Sequence, residues 1–257
     1  MKKGYAFGIL LLAAVLAACG GGAVGAVNLD GSSAMSEAVS VLREIFAEKR
    51  PDIRINCSGS GSGAGIEGAL SGVCDIGLSS RALTAEEIAR GAEGHLLAWD
   101  EIVVIVHPDN PVRTMSAGTL AGIFTGKLRW WSDLGGEGRP IAVYGREAGS
   151  GTRDAFEETF GIAGQCAYTN EYCSTGDVLG NVAGNPNAIG YVSRSAVNET
   201  VAVIPLDCLL HRPFLLVTCR DNPLSEAAAA FLEFATGEEG AKYLPLSGVA
   251  PAREGEP

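Results

Sequence analysis

The sequence predicts an α/β fold of two lobes, the second inserted into the first, with a cleft between them. Three observations carry that prediction. Apolar runs of strand length alternate with helix-period segments along the chain. Three Ser/Gly-rich turns, Gly31-Ser32-Ser33, Gly59-Ser60-Gly61-Ser62-Gly63 and Gly149-Ser150-Gly151-Thr152, each follow a strand and open a helix. The Val/Ile-rich run Glu101 to His107 stops at Pro108-Asp109-Asn110-Pro111, as a buried strand leaving one lobe for the other would. With 257 residues, 47% hydrophobic and 19% charged, the chain can bury a substantial core, which rules out disorder and collagen-like order. A formal net charge of −11 argues against a protein that grips nucleic acid or an anionic membrane surface, so any bound anion must be held by local groups.

In order, Ala26 to Leu29 reads as a short strand, followed after Gly31-Ser32-Ser33 by a helix whose Val39, Leu42, Ile45 and Phe46 recur at helical spacing until Pro51. Asp52 to Cys57 alternates as a strand. The Gly59 to Gly65 run reads as a turn, with a short helix from about Ile66 to Gly72. Cys74 to Leu78 is the next strand, and Thr84 caps a helix with Glu86 and Glu87 in its first turn, where negative charge suits the helix dipole. Beyond the Glu101 to His107 strand, Ser116 starts a helix that ends near Gly126. Ile141 to Tyr144 is a strand, Arg153 to Phe160 a helix, and Ala188 to Val192, Val201 to Ile204 and Phe214 to Thr218 are strands. Leu224 to Ala235 is a helix stopped by Gly237. The lobes are therefore expected at residues 26–106 (first part of lobe 1), 107–205 (lobe 2) and 206–257 (return to lobe 1).

Residues 1–18 read as a signal peptide: Lys2 and Lys3 precede an uncharged apolar run from Tyr5 to Ala18, short of the roughly 20 residues of a membrane span. The run closes on Leu16-Ala17-Ala18-Cys19, which resembles the lipobox of bacterial lipoproteins. Cleavage before Cys19 would leave that cysteine carrying lipid such as palmitate, with residues 19–25 as a flexible tether. Six cysteines remain in an exported chain, an even number that favours disulfides. Pairing of neighbours is expected, Cys57 with Cys74, Cys166 with Cys173 and Cys208 with Cys219. A zinc site competes poorly, for there is no C-x-x-C, and His95, His107 and His211 lack ligand spacing.

The three turns are candidate anion sites. The first turn of a helix has N–H groups without intrahelical partners and a partial positive charge; glycine admits a ligand to the backbone, and Ser or Thr adds hydroxyl donors. The third turn has Arg146 just upstream, able to donate paired hydrogen bonds to an oxyanion. One such turn alone is more often ordinary N-capping; three in one chain, one with an arginine, favour a ligand. Gly63-Ala64-Gly65-Ile66-Glu67-Gly68 also spells the dinucleotide fingerprint, a match that arises easily in a chain with 35 glycines, and the P-loop pattern is absent. No cofactor and no metal are implied.

Asp30-Gly31-Ser32-Ser33-Ala34, Ser58 to Gly65, Asp75 to Arg81 and Gly145 to Arg153 resemble, in that order, the ligand-binding segments of the phosphate-binding proteins of bacterial phosphate ABC transporters. Arg212-Pro213-Phe214 and the last helix are similar too, so the resemblance covers about Val27 to Pro251. It implies a periplasmic-binding-protein-like fold (type II) and a monomeric, extracytoplasmic solute-binding protein. Its partners would be inorganic phosphate, the transmembrane permease subunits of an ABC transporter, and a membrane through the lipid on Cys19. Residue by residue, the resemblance implies Ser33 and Ala34 at one helix start, Ser62 at another, Ser80 at a strand end, and Arg146, Ser150, Gly151 and Thr152 from the second lobe. Some members have aspartate at the position of Ser80, where the carboxylate accepts the proton of hydrogen phosphate; serine can donate or accept. Arg81 is left outside the site, as a counter-charge or a surface residue.

Two other readings stay open. An exported hydrolase would use Ser62 or Ser150 as nucleophile, but no histidine is near either in sequence. The same lobes could instead take sulfate, molybdate or another oxyanion, or serve a phosphate sensor, with Trp130 and Trp131 at a partner surface or simply in the core.

Overall fold

The computed structural model describes residues 25–208 and 210–251. The expected signal peptide, Cys19 and nearly all of the tether therefore lie outside the described residues. The first half of the chain gives β1 (Gly25–Gly31), α1 (Ser36–Lys49), β2 (Ile53–Ser58), α2 (Ser62–Ser71), β3 (Ile76–Ser79), α3 (Ala85–Ala89), β4 (Ala92–Val106) and α4 (Ala117–Phe124). Then come β5 (Ala142–Arg146), α5 (Gly151–Thr159), β6 (Asn170–Tyr172), α6 (Thr175–Ala183), β7 (Ala188–Ser193), β8 (Ala202–Ile204), β9 (His211–Cys219), α7 (Glu226–Thr236), α8 (Glu238–Ala241) and β10 (Ala250–Pro251). The α/β class is thus present, in a mixed sheet ordered β2-β1-β3-β9-β4-β7-β5-β6, with β8 and β10 also pairing with β4.

One strand joins the halves. Over Ala92 to Glu101, β4 pairs antiparallel with β9 of lobe 1; over Ile102 to Val106 it pairs with β7 and β8 of lobe 2. The partner change falls inside the strand, between 101 and 102, whereas the sequence divides the lobes at 106/107. The first nine residues of β4 escaped the sequence reading because Glu93, Gly94 and His95 and a bulge between Leu96 and Ala98 break the apolar alternation. At this crossing, Arg212 donates from Nε and Nη2 to Asp100 Oδ2 at 3.0 and 2.8 Å, and Ser193 Oγ donates to Asp100 Oδ1 at 2.6 Å. Arg194 pairs with Glu101 beside them.

Lobe 1 packs α1 and α7 on one face of the sheet through Leu29, Met35, Leu42, Phe46, Phe214 and Phe231, all buried. On the other face α2 lies almost directly on the strands. A Cβ on Gly65 would meet Asp30 O at 2.5 Å and Gly31 Cα at 2.6 Å, and one on Gly77 would meet Gly65 O at 2.4 Å. The second half of the glycine run, Ser62 to Gly65, is therefore the first turn of α2: the helix begins at Ser62, four residues before the predicted start, because small residues are needed for the close approach, and only Gly59 to Gly61 form the turn. Lobe 2 has its own core around Phe124, Phe156 and Tyr191, whose Phe156 and Tyr191 rings stack at 4.1 Å between centroids. Trp131 belongs to that core and donates from its indole to Asn187 O at 2.9 Å, while Trp130 is half exposed.

The expected disulfides are corrected: all six described cysteines are free thiols. Cys208 precedes β9 and Cys219 ends it, so the nine extended residues of the strand, about 27 Å from end to end, stand between them. Cys57 on β2 is opposite Leu29 on β1, which is opposite Ile76 on β3, so a whole strand stands between Cys57 and the approach to β3 at Cys74. Two strand spacings, about 9.6 Å, already exceed the roughly 7 Å limit for a disulfide. Cys166 turns its thiol toward Ile162 O in lobe 2, while Cys173 emerges exposed past β6. Burial pushes the Cys74 and Cys166 thiols up to about 11, which makes them poor nucleophiles in the native state. A chain starting after Cys19 is expected to titrate six thiols with a chromogenic disulfide in denaturant without reductant, and fewer in the folded state; two or more missing in denaturant would restore a disulfide.

Candidate functional site

The parallel strands β1 and β3 end at the cleft, and the turns that follow them bring helix starts to one place. Ser32 and Ser33 leave β1, Ser62 opens α2, and Ser80 follows β3; from lobe 2, Ser150 caps α5 and Gly151 and Thr152 form its first turn. Ser32, Ser62, Ser80, Ser150, Thr152 and Arg146 are all nearly inaccessible to solvent. The two lobes meet here. Gly63 N donates to Gly149 O at 3.0 Å, Thr175 N donates to Ser33 Oγ at 3.2 Å, and a Cβ on Gly151 would lie 2.4 Å from Ser62 Oγ and 2.8 Å from Ser80 Oγ. The Gly149 to Thr152 corner therefore faces the Ser62 and Ser80 corners, and Ser33 lies at the same lobe boundary.

The hydroxyls are arranged as donors. Ser62 Oγ accepts from Ser80 N at 3.0 Å, Ser80 Oγ accepts from Ser32 Oγ at 2.8 Å, Ser33 Oγ accepts from Thr175 N, and Thr175 Oγ1 accepts from Arg146 Nη1 at 3.1 Å. In each case the protein supplies a proton to the oxygen; Ser62 Oγ and Ser80 Oγ also lie 3.3 Å apart, so one of these two hydroxyls can donate to the other, while the remaining O–H groups are left to point elsewhere. Thr152 Oγ1 is buried with no hydrogen-bond partner among the described residues, an arrangement that costs free energy unless a ligand or water completes it. The first-turn amides of α5 likewise have no intrahelical acceptor.

Arg146 ends β5 with its guanidinium held on three sides. Nε and Nη2 donate to Glu147 Oε2 and Oε1, each at 2.8 Å, Nη2 also donates to Cys173 O at 3.3 Å, and Nη1 donates to Thr175 Oγ1. Of its five N–H groups, one on Nη1 remains, oriented by the other four. Its backbone N–H donates to Tyr191 Oη at 3.3 Å. Around the mouth, burial pushes the Asp30 carboxyl up, but hydrogen bonds from Ser60 and Ser58 outweigh it and hold the group below its ordinary value.

Ser33, Ser62, Ser80, Arg146, Gly151 and Thr152 come together across the lobe boundary; Ala34 is buried just behind Ser33. Ser150 accepts from Arg153 N at 3.4 Å as the cap of α5. Two residues were missed. Thr175 lies in a fourth turn of the same kind, Ser174-Thr175-Gly176, which follows β6 and opens α6; that repeated pattern was the available signal. Ser32 belongs to the first Ser/Gly turn but not to the ligand set the resemblance implies, and its hydroxyl donates to Ser80 Oγ. Among the described residues, neither Ser62 nor Ser150 has a histidine as a hydrogen-bond partner: His95 Nε2 bonds Thr218 Oγ1 at 2.9 Å, and His107 Nδ1 accepts from Asp109 N at 3.0 Å.

Residues 17–239 match the family model described as the PBP superfamily domain. A phosphate-binding protein, PstS, of Bacillus subtilis is 32% identical over 232 residues, covering 80% of this chain and 76% of the relative. Among solved structures, a protein from Clostridium perfringens assigned as a phosphate ABC transporter substrate-binding protein, with bound phosphate, superposes with a TM-score of 0.83 at 35% identity, covering 89% of this chain and all of that one. An ABC-type phosphate transport receptor from Vibrio cholerae gives a TM-score of 0.70 at 30% identity, with 88% and 100% coverage.

Proposed function

The chain belongs to the PBP superfamily and, within it, to the phosphate-binding proteins of bacterial phosphate ABC transporters, and from that premise we propose that it captures inorganic phosphate outside the cytoplasm and delivers it to a membrane permease. It acts as a carrier and not an enzyme, as a monomer lipid-anchored through Cys19. Its phosphate ligands are Ser33, Ala34, Ser62, Ser80, Arg146, Ser150, Gly151 and Thr152, joined by Thr175. The observation that carries this reading is the set of buried hydroxyls already supplied with protons by their protein neighbours, around one prepositioned guanidinium N–H.

Such a site answers the physical problem of phosphate, whose tightly held water must be replaced by fixed donors in a dry space. Hydrogen bonds to a charged group contribute roughly 1.5–3 kcal/mol each, so several reach about −8 kcal/mol, micromolar binding, after ordering costs. The chain's negative charge is a weak opponent, screened beyond about 8 Å in physiological salt. Because donors come from both lobes, the anion favours the closed arrangement over an open one.

One observation favours a second reading. Ser80, whose oxygen already accepts from Ser32, stands where a carboxylate would reject a fully ionised anion, so sulfate is the natural competitor. Calorimetry on the delipidated chain, with phosphate and then with sulfate in competition, tests both. One phosphate per chain at micromolar affinity without turnover of a phosphate monoester is expected; no heat with phosphate, or hydrolysis, sinks the carrier reading.

A further inference from the structure

Arg81 follows Ser80 directly in lobe 1, and Asp154 comes two residues after Thr152 in the first turn of α5 in lobe 2. Arg81 Nε lies 3.2 Å from Asp154 Oδ2. We propose that Arg81 and Asp154 are positioning residues of the anion site, an inter-lobe ion pair that forms on closure, holds the lobes together and sets how slowly the ligand leaves. The proposal rests on the phosphate-carrier reading for its ligand, but the pair itself is a property of lobe closure.

Arg81 is held in place by lobe 1 alone. Its Nη1 and Nη2 donate to Glu87 Oε2 and Oε1 at 2.9 and 2.7 Å, and Nη1 donates to Ala82 O at 2.9 Å. Glu87 is fixed in turn by a reciprocal cap on α3: Thr84 N donates to Glu87 Oε2, and Glu87 N donates to Thr84 Oγ1. The hydrogen bond from Arg81 is the largest cause holding the Glu87 carboxyl down at about 2. The guanidinium is thus oriented before lobe 2 arrives and presents its Nε edge outward, so little ordering remains to be done at closure. Its side chain is only 16% exposed.

Asp154 stays 45% exposed in this contact and so gives up only part of its water. Burial raises its carboxyl pKa and Arg81 opposes that rise, with Glu157 and Arg153 as the other charges acting on it. In an open molecule Asp154 would lose its partner and stand in solvent, as it already does in part, while Arg81 would keep Glu87. The contact therefore belongs to the closed state alone, which is the condition for shifting the equilibrium. Apart from the hinge pair Arg194–Glu101, it is the one ion pair among the described residues that joins the lobes. Because Arg81 directly follows Ser80 and Asp154 lies two residues past Thr152 in the opposite lobe, closing around the anion brings them into register.

The test is Asp154→Asn, which leaves the Arg81–Glu87 pair intact, measured by stopped-flow phosphate binding and by small-angle scattering with and without phosphate. The expected result is release faster by about 3- to 10-fold, association unchanged or faster because a negative charge near the anion is gone, and an unchanged melting temperature without ligand. In combination with Arg81→Met the effects on release should be less than additive. A wild-type release rate, or a ligand-free melting temperature that falls as far as the liganded one, overturns the proposal. Should the wild-type chain take no phosphate, the ligand reading fails separately, and scattering decides. An Asp154→Asn chain more expanded than wild type then supports the pair; one no more expanded overturns it.

Discussion

Replacing Arg146 by alanine is expected to weaken phosphate binding by about 10²- to 10³-fold, with the fold retained. Two losses combine. The charged Nη1–H donor disappears, and Glu147, which now shares its two oxygens with the guanidinium at 2.8 Å, is left as an unpaired negative charge beside the anion. Truncating one member of a hydrogen-bonded buried charge pair typically costs 2–5 kcal/mol, which sets the range. The double change Arg146→Ala with Glu147→Ala should recover part of the loss, whereas Arg146→Lys keeps the charge but loses the fork and should fall between. Calorimetry gives the affinities and circular dichroism the fold. An alanine variant that binds as tightly as wild type would remove Arg146 from the site.

Gly151→Val is expected to reduce affinity to a similar degree by a different route. The backbone at Gly151 is ordinary helix, so the substitution carries no conformational strain. The obstacle lies across the boundary, where even a Cβ would be 2.4 Å from Ser62 Oγ and 3.0 Å from Ser62 Cβ. A serine hydroxyl can rotate aside for a methyl group, but the Cβ contact and the two further carbons of valine require the lobes to stand apart. Gly151→Ala should therefore lose less than Gly151→Val. In scattering, phosphate should contract the wild-type protein and leave the valine variant unchanged. Wild-type affinity in the valine variant would place the anion away from the start of α5.

Both sets of effects concern residues that were visible in the sequence, and the reason is local. A strand, a Ser/Gly turn and a helix start are adjacent in the chain, so Ser33, Ser62 and the Gly149 to Thr152 corner announce themselves without knowledge of the fold. What the sequence hid depends on contacts between distant segments. Gly65 looks like part of a turn until β1 and β3 are seen against α2, and Gly63 until Gly149 of the other lobe is seen against it. Cys208 and Cys219 look like neighbours until the strand between them proves straight and continuous. Arg81 could be assigned no role because its partner, Asp154, is 73 positions away in the other lobe. Thr175 is the exception, for its turn repeats the pattern of the other three and was overlooked.

The continuity of β4 has a consequence for how the molecule can be divided. Lobe 2 uses Ile102 to Val106 as the strand between β7 and β8, and lobe 1 uses Ala92 to Glu101 between β9 and β10. A cut at either end of this strand hands one half a surplus extension and strips the other of an interior rung, exposing two unpaired edges at once. Neither half is therefore an autonomous module that could be excised, swapped or expressed by itself, and heating should melt both in a single cooperative transition.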